Sequence, residues 1–248
     1  MQSGRDPQVQ KDRAAFVAAA GKKLTFEEKD GKVTLVVGTE EWPFPVPLVQ
    51  SGAKWHFDAV EGREEILARR IGRNELVAIR VCRDYAAAQV EYASKDRDGD
   101  KVREYAQHLI STAGTHDGLW WPAVEGGEAS PLATELAPYR EYLANPSGVP
   151  VPFNGYFWRI LTAQGEHAPG GAYSYVINGN MIAGFALIGV PAVYRNTGVM
   201  TLVVSNHGTI YQKDLGPTTL EAAKAITTFD PDETWSEVEP ADLAASGT

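Results

Sequence analysis

The sequence predicts an α+β protein: a small β-meander and helix module, then a long helix packed on an antiparallel sheet. Three observations carry that reading. Residues 24–37 alternate apolar and polar around Asp30-Gly31, a two-residue hairpin signal. Residues 76–94 contain no Gly or Pro and place Ile79, Cys82, Tyr85, Ala86, Gln89, Tyr92 and Ala93 at steps of three and four. The last third repeats short apolar runs separated by turn residues at Asn178-Gly179 and Asn206-His207-Gly208.

Taken in order, residues 6–20 predict a short helix with Ala14, Phe16, Val17 and Ala20 as its apolar stripe. The hairpin of 24–37 follows. The stretch 41–50 is extended, and Pro43, Pro45 and Pro47 suit it to a sheet edge. Ser51-Gly52 turns the chain into Lys54-Trp55-His56-Phe57-Asp58. Residues 61–70 predict a helix stopped by Gly72, with Asn74 as N-cap of a second and longer one. Past Asp100 the pattern predicts a short helix over 102–110. A long loop-like excursion over 123–154 then carries one helical piece at 131–144. Strands are expected at 155–162, 185–191, 199–205 and 209–215. Thr218 to Glu221 reads as a capping box opening a helix to Ile226, and a packed turn at Trp235 precedes a disordered tail. These elements group as a β-rich module (1–70), a helix-and-sheet domain (71–230) and a C-terminal tail (231–248).

Bulk properties narrow the partners. With 23 Lys and Arg against 32 Asp and Glu, the net charge is −9, which argues against nucleic acid or anionic membrane as the main partner. No apolar run is long enough to span a bilayer. The one cysteine, Cys82, excludes an internal disulfide and a thiolate metal cluster. Met1 is followed by polar residues, so no secretory signal is expected at this start.

Two clusters are candidate sites. Asp96, Asp98 and Asp100 stand at positions 1, 3 and 5 of an acidic loop, with Glu104 at position 9, and carboxylates so spaced can converge on Ca²⁺. Position 6 is Lys101 in place of the usual Gly, and position 12 is Gln107 in place of Glu. The competing reading is a solvated turn with Asp100 capping the next helix. Beyond that ion no cofactor is expected. The second cluster is His116 and Asp117 beside Trp120 and Trp121, a candidate pocket wall; the competing reading is packing. No H-E-x-x-H, G-x-S-x-G, dinucleotide fingerprint or P-loop occurs. The aromatics Trp120, Trp121, Tyr156, Phe157, Trp158, Tyr173 and Tyr175 could line a ligand groove on the sheet; the competing and favoured reading is that half form the core and the rest cover the long loop.

The runs WPFPVPLV (42–49), GREEILARRIGRNE (62–75), YAAAQVEYASKDRDGD (85–100), LISTAGTHDGLWWP (109–122) and GGAYSYVINGNMIAGFALIGVPAVYRNTGVMT (170–201) resemble the bacterial Domain of Unknown Function 2950 family. That resemblance implies an exported, periplasmic or secreted protein with no established activity. Typical members begin with a signal peptide and a helical stretch before an SGRDP-like point, so it also implies a truncated or processed chain. From 74 to 216, the long helix, acidic turn, loop and successive strands are similar to the soluble domains of type IV pilins and pseudopilins, without their membrane-inserting half-helix. The first module resembles part of a nuclear-transport-factor-2-like cone. The expected function is a non-enzymatic structural or binding protein with cell-envelope protein partners. The alternative is a hydrolase or carbohydrate-directed enzyme with its site near His116, Asp117 and Trp120.

Overall fold

The computed structural model describes residues 7–124, 126–132 and 151–246. It is an α+β structure divided into two compact units, Met1–Arg70 and Ile71–Thr248. The helical piece expected at 131–144 lies, beyond Leu132, outside the described residues.

The first unit opens with α1 (Pro7–Lys22), then β1 (Leu24–Lys29), β2 (Lys32–Val37), β3 (Trp42–Pro43), β4 (Leu48–Ser51) and β5 (Lys54–Phe57). The sheet order is β1-β2-β4-β5, with β3 also on β2. Asp30 (φ 53°) and Gly31 (φ 74°) both adopt the left-handed backbone that a tight two-residue hairpin needs. This sheet buries little: of its apolar residues only Val36 and Val37 are fully inside. Phe16, Trp42, Phe44 and Phe57 form a chain of ring contacts at 5.7 to 6.5 Å.

α2 (Ala59–Tyr92) is one continuous helix, where the sequence predicts two separated at Gly72. Asp58 starts it, its Oδ1 accepting from the amides of Val60 and Glu61. Gly62 lets it approach Val46, whose methyls stand 2.7 Å from where a Cβ would lie. Interior glycine costs a helix only about 1 kcal/mol, and Asn74 and Glu75 have tertiary partners instead of capping roles. The Asn74 amide donates to the Thr197 carbonyl, and Glu75 accepts from the amides of Val199 and Met200.

In the second unit, β6 (His108–Ile110) and β7 (Gly118–Trp120) pair in parallel. The short helix expected at 102–110 is therefore absent: Tyr105 bridges Met181 and residues 108–110 are strand. Next come β8 (Tyr156–Leu161), β9 (Ala163–Gln164), β10 (Tyr173–Ser174), β11 (Val176–Ile177), β12 (Asn180–Met181), β13 (Ala186–Pro191), β14 (Met200–Ser205) and β15 (Ile210–Asp214). α3 (Thr219–Ala225), β16 (Ser236–Glu237) and α4 (Pro240–Ala245) complete the chain. The main sheet is antiparallel in the order β16-β15-β14-β13-β8. Gly189 faces Trp158 across β13 and β8, and a Cβ there would lie 2.4 Å from the indole.

The stripe Ala78, Ile79, Cys82, Tyr85, Ala88 and Tyr92 of α2 joins the core cluster that includes Tyr156, Leu187, Leu202 and Val204 of the sheet. Gln89 is fully buried within it. Its amide closes both backbone groups of Ala106 and donates to the Tyr85 hydroxyl, which in turn donates to the Ala186 carbonyl. No buried polar group in that chain is left unpaired, which is what makes burial affordable.

Two expectations for the C-terminal part differ. Thr218 makes no side-chain cap to α3; the Thr219 hydroxyl donates back to the Gly216 carbonyl instead. Residues 236–245 are ordered as β16 and α4, where a disordered tail is expected from composition. Val238 is buried, Trp235 packs beneath Lys213, and Arg80 and Arg83 of α2 donate to the carbonyls of Ser246 and Leu243.

Candidate functional site

Both sequence-predicted clusters lie just beyond the C-terminal end of α2. The acidic loop begins four residues after Tyr92. Asp96, Asp98 and Asp100 each offer a carboxylate oxygen, all within 4.8 Å of one another, and all three residues are exposed. Gly99 (φ 86°) and Lys101 (φ 73°) turn the backbone left-handed, so Lys101 supplies by strain the turn that Gly would give freely at that position. Asp96 accepts from the amides of Gly99 and Lys101 at 2.7 and 2.9 Å. Those bonds, Gly99 first, hold its carboxyl below the usual range.

The same loop is fastened to the β11–β12 hairpin. Asn180 donates to Asp100 at 2.7 Å, and Glu104 accepts from the Met181 amide at 3.0 Å. Gln107 donates to the Gly179 carbonyl at 2.7 Å. Glu104, the fourth predicted ligand, is thus engaged with the hairpin, and it is not among the three converging carboxylates.

In the second cluster, Asp117 is a turn lock. Its two oxygens accept from the Thr112 amide and hydroxyl, both at 2.7 Å, and from the Thr115 hydroxyl at 2.9 Å. Partial desolvation pushes this carboxyl up, but the bonds from Thr112 and Thr115 outweigh it and hold it below the usual range. His116 is exposed, and its ring stacks on Trp121 with centroids 4.2 Å apart. Trp120 and Trp121 are only 6% and 3% exposed, and the Trp121 indole donates to the Glu128 carbonyl.

Arg97 joins the two clusters, and the sequence reading did not single it out. Its guanidinium lies 4.9 Å from the Tyr92 ring and 5.4 Å from the Trp121 ring. It donates to the Tyr92 carbonyl, closing the helix end, and to Glu128 at 2.9 Å. Lys95 reaches the same Glu128 oxygen at 2.7 Å. Hydrogen bonds from Lys95 and Arg97 hold the Glu128 carboxyl down to about 2. The available signal was an arginine inside an acidic run, where a cation is out of place unless something else holds it. Tyr92, whose hydroxyl burial pushes up to about 12, donates to the His116 carbonyl.

The geometry gathers three carboxylate oxygens within 4.8 Å of one another at the aspartates and braces the loop beside them. Cys82 offers no nucleophile, because burial pushes its thiol up and keeps it protonated. Elsewhere, His167 and Asp230 form an exposed pair at 3.1 Å that sequence reasoning also passed over.

The model of the family described as protein of unknown function (DUF2950) matches residues 1–238. The chain belongs to this family. No curated protein and no solved structure matches. Among the described residues of this family member, no helix is long and apolar enough to cross a membrane.

Proposed function

We propose that the chain is a non-enzymatic structural or binding protein of the bacterial cell envelope, with its second unit built on a pilin-like plan. One observation carries the non-enzymatic part: the carboxylate of Asp117, the acid–base candidate of the cluster, is occupied by structural bonds. Asp117 is bound by Thr112 and Thr115, and His116 lies flat on Trp121. A general base needs a free lone pair within reach of substrate, and Asp117 has its oxygens turned to its own loop. The extracytoplasmic location and the pilin-like plan rest on the sequence resemblances, and the helix-on-sheet core of the second unit is consistent with that plan.

The test is a panel of chromogenic ester and glycoside substrates, run on the full chain and on His116→Ala. The reading expects no turnover above buffer from either protein. Turnover that disappears in a normally folded His116→Ala variant would establish the enzymatic alternative instead.

A second reading is favoured by the three converging carboxylates. Asp96, Asp98 and Asp100 are proposed to take one Ca²⁺, with oxygen ligands at about 2.3–2.6 Å once the loop closes on the ion. Calcium would then stiffen the joint between α2 and the β11–β12 hairpin, through Asp100 and Asn180. Titration calorimetry with CaCl₂ should give heat that is lost in Asp98→Asn. No heat and no thermal shift at about millimolar Ca²⁺ would remove this reading.

A further inference from the structure

β1 is an edge strand. It has one neighbour, β2, and all six of its residues are exposed. Leu24 is 44% and Phe26 61% exposed. The Asp30-Gly31 turn decides which backbone groups face outward. Lys29 pairs with Lys32 across this two-residue loop, so that pair is a hydrogen-bonded one. Alternation then assigns the bonds to β2 to Thr25, Glu27 and Lys29. The N–H and C=O of Leu24, Phe26 and Glu28 point away from the sheet, and among the described residues no strand meets them. Such an edge is a template for another strand.

We propose that this edge pairs with the β1 edge of a second copy of the chain, antiparallel and centred on Phe26. A two-fold axis perpendicular to the sheet makes the central residue face itself, and the outward-pointing residues of one strand must pair with those of the other. Phe26 satisfies both conditions at the middle of the outward set. A centre at Thr25 would set the outward Glu28 against Lys22, the last residue of α1, and so leave it no strand partner, while a centre at Glu27 would oppose two carboxylates. In the Phe26 register Leu24 faces Glu28 and Thr25 faces Glu27, so no like charges within β1 stand directly opposite. Lys23, which would face Lys29 of the other copy, is already neutralised by Glu41 at 2.6 Å. Leu24, Phe26 and Glu28 pair in β2 with Val37, Leu35 and Val33, so their side chains share that face of the sheet. The dimer would extend this apolar strip across its axis.

One strand pair buries less than the roughly 1,200–2,000 Å² of a standard stable interface, so the dimer dissociates on dilution through the micromolar range. Because each copy carries a net charge of −9, association should strengthen with salt.

The test uses the full chain. Sedimentation from about 1 to 100 μM should show a monomer–dimer equilibrium, weakened at least about tenfold in Phe26→Pro. That proline removes the outward N–H while leaving the bonds to β2 intact. Independently, Phe26→Cys oxidised with diamide should form a disulfide-linked dimer. Its Cα atoms would sit about 5.5 Å apart, within bridging range. Thr25→Cys alone should not cross-link, but mixed with Glu27→Cys it should. A chain that stays monomeric throughout, with Phe26→Cys cross-linking no better than Thr25→Cys, overturns the proposal. So does a dimer that Phe26→Pro leaves unchanged while Phe26→Cys fails to cross-link, since that dimer uses another surface.

Discussion

Both units contain an antiparallel sheet, yet they bury it differently. In β13 every residue is buried, and in β14 all but the first. In β1 and β5 every residue is exposed, and β2 reaches the interior only at Val36 and Val37. Among the described residues, the main core cluster draws none from the first seventy positions. Apolar burial supplies most of the stabilisation of a fold, at about 25 cal/mol per Å². Two sheets with similar hydrogen bonding should therefore differ widely in how readily they open.

The largest expected effect is in the second core. Phe185 is 2% exposed and packs edge-on to Tyr85 and Tyr105, at 5.6 and 4.8 Å. Phe185→Ala should cost about 3–5 kcal/mol by urea denaturation. Amide exchange should show β14 protected far beyond β1, and the variant should narrow that gap. Equal protection of the two sheets would break the comparison.

Next comes the buried amide. Gln89→Ala strands the N–H and C=O of Ala106, each at a cost of about 1–3 kcal/mol, and leaves the Tyr85 hydroxyl only its bond to Ala186. A loss under about 0.5 kcal/mol would mean water replaces the side chain.

Acid should act through Glu128. Its carboxyl is depressed when folded, so its stabilisation is complete above the ordinary value of 4.5 and disappears as pH falls toward about 2. Wild-type Tm should fall more steeply across that window than Tm of Glu128→Gln. Parallel curves would assign acid sensitivity to other carboxylates.

The smallest effect belongs to the first unit. Trp55 is 47% exposed, so Trp55→Ala should shift stability by less than about 0.5 kcal/mol. A larger loss would show that ring to be packed in solution.

The candidate site was partly readable. The aspartate spacing located three carboxylates that do converge, because five consecutive residues in a tight loop cannot place them far apart. Glu104 at position 9 was beyond that local reach, and the Met181 amide captured it. His116 and Asp117 were visible as residue types. Their partners were not: Thr112 lies within their own loop, but Trp121 is held by Arg97 and Glu128, thirty-one residues apart.

From its residues alone the chain determined its hairpins, the positions of β8, β13, β14 and β15 in its main sheet, and the buried stripe of α2. Asp30-Gly31 and Asn178-Gly179 take φ values above zero through the preferences of two residues, so such turns are local decisions. Packing decided the elements whose local preference was weak. Gly72 disfavours helix by only about 1 kcal/mol, less than tertiary partners such as those of Asn74 and Glu75 can return. Residues 102–110 could have been helical, but Gln89 needed the Ala106 backbone and β12 offered Tyr105 a partner. A buried polar group left unpaired would cost more than a short helix gains.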